Sequence, residues 1–89
     1  MEEYSIVVER IARNPKLSIN QVVAIRSLAH HGNKTRACQD AGVGYMTLWR
    51  WWNHSEDFRE AIIALKTALI EQEREALLRD LEQWFEGSG

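Results

Sequence analysis

The chain has 89 residues, 45% hydrophobic and 27% charged, with a formal net charge of −2, which holds one globular domain and excludes a second folded unit, a disordered tail and a collagen. One cysteine, Cys38, excludes an internal disulfide and a cysteine-rich zinc site and points to a reducing, cytoplasmic setting. Every apolar run is short and broken by charge, and the chain opens on the acidic Met-Glu-Glu-Tyr, so neither a spanning helix nor a signal peptide is expected and no membrane role is implied.

Helical spacing prevails over strand alternation along the whole chain, which predicts an all-α fold. Tyr4, Val7, Val8 and Ile11 share one face of a first helix that should stop before Asn14-Pro15, because a residue preceding proline disfavours the helical region. Ser18 with Gln21 forms a capping box, and Leu17 with Val22 has the spacing of a hydrophobic staple. The helix they start is expected to bury Val22, Ile25, Leu28 and Ala29 and to end at Gly32, which accepts a left-handed terminus without steric cost.

Residues 32–52 read as helix, turn, helix. Asn33 can cap a short helix from Lys34 to Ala41, whose inner positions Ala37, Cys38 and Ala41 are small enough to let a second helix cross closely. Gly42 can turn the chain with positive φ, Val43 plugs the core, and Gly44 takes the N-cap of the next helix. That helix sets Leu48, Trp51 and Trp52 toward the core and shows Tyr45, Met46, Trp49, Arg50 and Asn53 on the other side. Trp49 suits stacking on nucleic acid, a contact between subunits, or simple partial exposure.

From Ser18 to Arg59 the chain resembles the homeodomain-like helix-turn-helix of phage-encoded DNA-binding proteins, above all the N-terminal module of terminase small subunits and related transposase-type domains. The resemblance is carried by Gly32, Lys34 to Ala37, Gly42-Val43, Thr47 to Trp51 and Phe58-Arg59. Cys38 stands where alanine is usual, Gly44 where a capping serine or threonine is common, and Ser-Glu-Asp replaces an Asp-Pro before the Phe-Arg step. The resemblance implies a homeodomain-like three-helix core, flanked here by an N-terminal helix and a long C-terminal one, and a second helix that enters the major groove of DNA. Tyr45, Met46, Trp49, Arg50 and Asn53 are then the candidates for reading bases; arginine can donate two bonds to guanine and asparagine can pair with adenine. Lys34, Thr35 and Arg36, with Gly44 and Thr47, are the candidates for phosphate contacts.

Charge is distributed to match. Residues 1–55 carry seven basic and four acidic side chains, a net of +3, and Asp40 is the only acid between Arg10 and Arg50. The remainder carries four basic and nine acidic side chains, a net of −5. His30, His31 and His54 with Cys38 are metal-ligand types, but their spacing sets no chelate. No nucleophile elbow, phosphate-cradling glycine loop or paired acid-base motif is present, so neither catalysis nor a cofactor is expected.

Residues 56–86 read as one helix capped by Ser55, long enough to extend roughly 45 Å. Phe58, Ile62, Leu65 and Leu69 can cover the core; Glu71 to Glu75 are polar throughout; Leu77, Leu78, Leu81, Trp84 and Phe85 then form a second apolar patch. That patch either folds back onto the N-terminal helix or joins copies of the chain, and joining copies is favoured. The heptad spacing of Ile63, Ile70, Leu77 and Trp84 supports a seam, which Thr67 and Arg74 interrupt. Residues 87–89 have the composition of a linker or appended tail, so continuation of the natural chain is left open.

These readings point to a non-catalytic protein that binds double-stranded DNA, forms a homo-oligomer and resembles a terminase small subunit passing viral DNA to a separate packaging motor. A phage or prophage transcriptional regulator bound to an operator is the alternative within the same class. An interaction adaptor that keeps the fold without touching DNA is the alternative outside it.

Overall fold

The computed structural model describes residues 3–87. Met1, Glu2 and the Ser88-Gly89 end of the expected tail lie outside the described residues. Five helices follow in order, α1 (Tyr4–Arg13), α2 (Ile19–His31), α3 (Lys34–Ala41), α4 (Tyr45–His54) and α5 (Glu56–Gly87), and no strand occurs among the described residues.

Each boundary has a local cause. Ser18 accepts from the Gln21 amide at 3.2 Å while Gln21 Oε1 accepts from the Ser18 amide at 2.8 Å, so two amides without helical partners are satisfied reciprocally at the start of α2. Gly32 ends α2 at φ 63°, its amide donating to the Leu28 carbonyl. Asn33 caps α3 by accepting from the Arg36 amide at 3.1 Å. Ser55 does the same for α5, accepting from the Phe58 amide at 3.2 Å. Glu56 and Asp57 occupy the first turn of α5, where negative charge complements the helix dipole.

The core is one cluster drawn from every helix. Val7 and Ile11 of α1, Ala24 and Ile25 of α2, Ala37 and Ala41 of α3, Leu48 of α4, and Phe58, Ile62 and Leu65 of α5 are all buried in it. Phe58 and Ile25 are its largest fully buried side chains. Helix α2 packs on α3 and on α5, and α5 also covers α1 and α4.

Burial is less complete than the apolar spacing suggests: Val22 and Leu28, expected to be buried, are half-buried against the core, Val8 lies at the edge of the α1 face, and the expected burial of Trp52 is corrected. Val8 is 38% exposed, because α1 meets the core through Val7 and Ile11, whose spacing of one helical turn leaves their neighbour Val8 to the side. Trp52 is 42% exposed. The side of α4 that faces the core is set by Leu48 and Trp51, the latter against Phe58 with ring centroids 5.5 Å apart. Trp52 is rotated about 100° further around the helix, out of that contact.

Helix α5 is one unbroken run of 32 residues. Its first half lies on the core through Phe58, Ile62, Leu65 and Ala68, with Leu69 packed at the edge. The N-terminal turn of α1 stands beside Ala68, Glu71, Gln72 and Glu75, so α1 is used up against the middle of α5 and the end patch does not fold back onto it. Leu77, Leu78, Leu81, Trp84 and Phe85 are all exposed. No helix of the described residues is long and apolar enough to cross a membrane.

Candidate nucleic-acid interface

Between α3 and α4 only Gly42, Val43 and Gly44 intervene. Gly42 sits at φ 67°, its amide donating to the Gln39 carbonyl at 3.3 Å, and the Val43 amide donates to the Cys38 carbonyl at 3.0 Å. These paired bonds close the last turn of α3 and bring Val43 and Cys38 together against the core. Gly44 then starts α4 from an extended conformation, φ −80° and ψ 164°, with no side chain to cap the helix. The turn thus reverses the chain tightly while both helices stay anchored, α3 by Ala37 and Ala41 and α4 by Leu48.

A polar tie fixes α3 on α2. Ser27, buried within α2, donates through Oγ to Asp40 Oδ2 at 2.9 Å. The same carboxylate oxygen lies 3.8 Å from Arg36 Nε. Asp40, the one acid of the basic middle segment, therefore has a structural task, and Arg36 shares its charge with it. Burial of Ser27 and Ala24 was not anticipated by the apolar pattern of α2; both are small, and Ser27 faces α3 through its bond to Asp40, where closeness rather than hydrophobicity decides what fits.

Helix α4 presents Met46, Trp49, Arg50 and Asn53 on its solvent side, with Tyr45 at its first turn. All five candidates for base reading are exposed. Asn53 is not idle, since its Nδ2 donates to the Trp49 carbonyl at 2.8 Å. Trp49 also meets the His54 ring edge-on, centroids 6.4 Å apart. Of the phosphate candidates, Lys34, Thr35 and Arg36 are exposed on the first turn of α3, Gly44 is exposed in the turn, and Thr47 is half-buried on the flank of α4. Of the α3 group, Lys34 lines one groove with Tyr45 and Trp49 of α4, which brings its positive charge to the flank of that helix.

No family model matches the chain, and comparison with curated proteins and with solved structures gives no match. The site is therefore judged on its own chemistry. Among the described residues no group of three or more histidine, cysteine or acidic side chains could hold a metal ion. His30 is engaged instead with the Tyr4 hydroxyl, 2.9 Å from its Nε2, tying α1 to α2.

At the far end of α5, Leu77, Leu78, Leu81, Trp84 and Phe85 lie within 100–120° of one another around the helix axis and form a single stripe. Ile63 and Ile70 extend the same stripe toward the core and are also exposed. Arg74 stands within it, 3.9 Å from Glu71.

Proposed function

We propose that this chain is a double-stranded DNA-binding protein with a homeodomain-like helix-turn-helix formed by α2, α3 and α4. In this reading α4 enters the major groove, with Arg50, Asn53, Met46, Trp49 and Tyr45 at base edges, and Lys34, Thr35, Arg36, Gly44 and Thr47 along the phosphates. The observation that carries it is the α3–turn–α4 unit, in which the outer side of α4 is exposed and Lys34 of α3 lies on one surface with Tyr45 and Trp49. Nothing in this role needs a cofactor or a catalytic group. The terminase-like role, in which the protein recognises viral DNA as a homo-oligomer and hands it to a separate motor subunit, rests on the resemblance of residues 18–59 and on the exposed end of α5 as an assembly surface.

Duplex binding titrated against salt tests the reading. If about four phosphates are neutralised per copy, the slope of log affinity against log salt is expected to be roughly −3 to −4. Arg50→Ala is expected to weaken binding by about 1–3 kcal/mol and to relax preference at one base position, whereas Lys34→Ala weakens all duplexes alike. A flat salt response would leave the adaptor reading in place of DNA binding.

A further inference from the structure

An open groove of about 350 Å³ lies between the end of α2, one flank of α4 and the first three turns of α5. Buried Leu48 and Phe58 form its apolar floor, half-exposed Trp49 and Trp52 its aromatic wall, and the two charged residues that line it, Lys34 and Lys66, are both basic and exposed. At the opposite end of α5 stand an exposed aromatic pair and the opposite charge. Trp84 and Phe85 are 66% and 65% exposed and pack edge to face with centroids 4.9 Å apart, a preformed aromatic wedge. The segment leading to it, residues 71–82, carries five acidic side chains and two basic ones.

The wedge cannot reach the groove of its own chain. Both lie on the same continuous helix, and Ile62 and Trp84 are separated along it by about 33 Å. We propose that the groove of one copy receives the Trp84-Phe85 end of α5 from a second copy, with Lys34 and Lys66 facing Asp80 and Glu82. This inference rests on the reading of the α5 end as an assembly surface and names the surface that receives it. Side-by-side pairing of two α5 helices is disfavoured by the same charges, since two segments of net charge −3 would face each other and Arg74 interrupts the apolar stripe between them. The contact is head to tail: every copy offers one groove and one end, so assembly either closes into a ring or continues as a chain. Met46, Arg50 and Asn53 do not line the groove and remain on the open side of α4 when it is filled, whereas Tyr45, Trp49 and Lys34 line it and are shared between the second copy and the DNA face.

Head-to-tail geometry has a signature that symmetric pairing lacks. In a groove variant, Trp52→Ala with Lys66→Glu, and in an end variant, Leu81→Glu with Trp84→Ala, self-association measured by sedimentation of the full chain is expected to fall by at least about thirty-fold. Mixed in equal amounts, the two variants are expected to form a one-to-one dimer that grows no further, because one intact end meets one intact groove. Helical content by circular dichroism checks that both fold, and Lys34→Glu with Lys66→Glu repeats the groove test with the apolar floor and wall untouched. A groove variant that assembles like the unaltered chain overturns the inference but leaves the end as an assembly surface. So does a mixture of monomeric variants that forms no dimer. An end variant that assembles normally, or an unaltered chain that stays monomeric at every concentration, overturns the assembly reading as well.

Discussion

Gly42 and Gly44, two residues apart, are glycines for opposite reasons. At Gly42 the left-handed φ of 67° makes a Cβ costly on conformational grounds although nothing stands within 4 Å of where it would be. At Gly44 the backbone is extended and the space is equally open, so a side chain is permitted and a capping hydroxyl is missing. Gly42→Ala is expected to cost about 1 kcal/mol. Gly44→Ser is expected to stabilise by about 0.5 kcal/mol, through the cap and a less free unfolded chain. Urea midpoints of the two variants should move in opposite directions; equal shifts would mean that the turn is not held as described. Ser27→Ala removes the hydroxyl that ties α2 to Asp40 of α3. Its expected cost is about 1 kcal/mol by the same measurement, with no change in helical content.

Helix α5 belongs to the core for half its length and to the surroundings for the rest. Leu65 is 2% exposed and Leu81 is 43% exposed, so one substitution at both positions separates the two halves. Leu65→Glu places an unpaired carboxylate in the core and is expected to destabilise by about 3 kcal/mol or more, enough to unfold much of a domain this small. Leu81→Glu is expected to change the stability of the single chain by no more than about 0.5 kcal/mol. Thermal unfolding followed by circular dichroism at low concentration distinguishes them. A large loss at Leu81 would show that the end patch is covered by its own chain after all.

The single chain is elongated for its size. Its radius of gyration is 16.0 Å and its longest extent 55 Å, whereas a compact domain of 89 residues would have a radius near 12 Å, by the scaling of about 2.2 Å times length to the power 0.38. The excess comes from α5, which spans about 48 Å. Small-angle scattering from the monomeric Leu81→Glu variant is expected to give a radius near 16 Å; a value near 12 Å would mean that the end of α5 bends back.

The amino-acid sequence by itself determined the helices and most of their ends, because those depend on neighbours only. Ser18 with Gln21, Asn33, Gly32, Gly42 and Ser55 each act within a few residues and are found where the spacing places them. It also determined the two-part character of α5, since a polar run between two apolar groups is a local pattern. The side of α4 that carries Leu48 and Trp51 was legible as the inner one, but tertiary structure alone decided how far that side extends, leaving Trp52 exposed because Phe58 arrives from another helix to meet Trp51. It likewise decided that Ser27 would be buried and bonded to Asp40, and that a groove with two lysines would open beside the exposed side of α4. Such features arise where elements far apart in the chain come together, and helical periodicity orders the faces of one helix without saying how much of each face a neighbour covers.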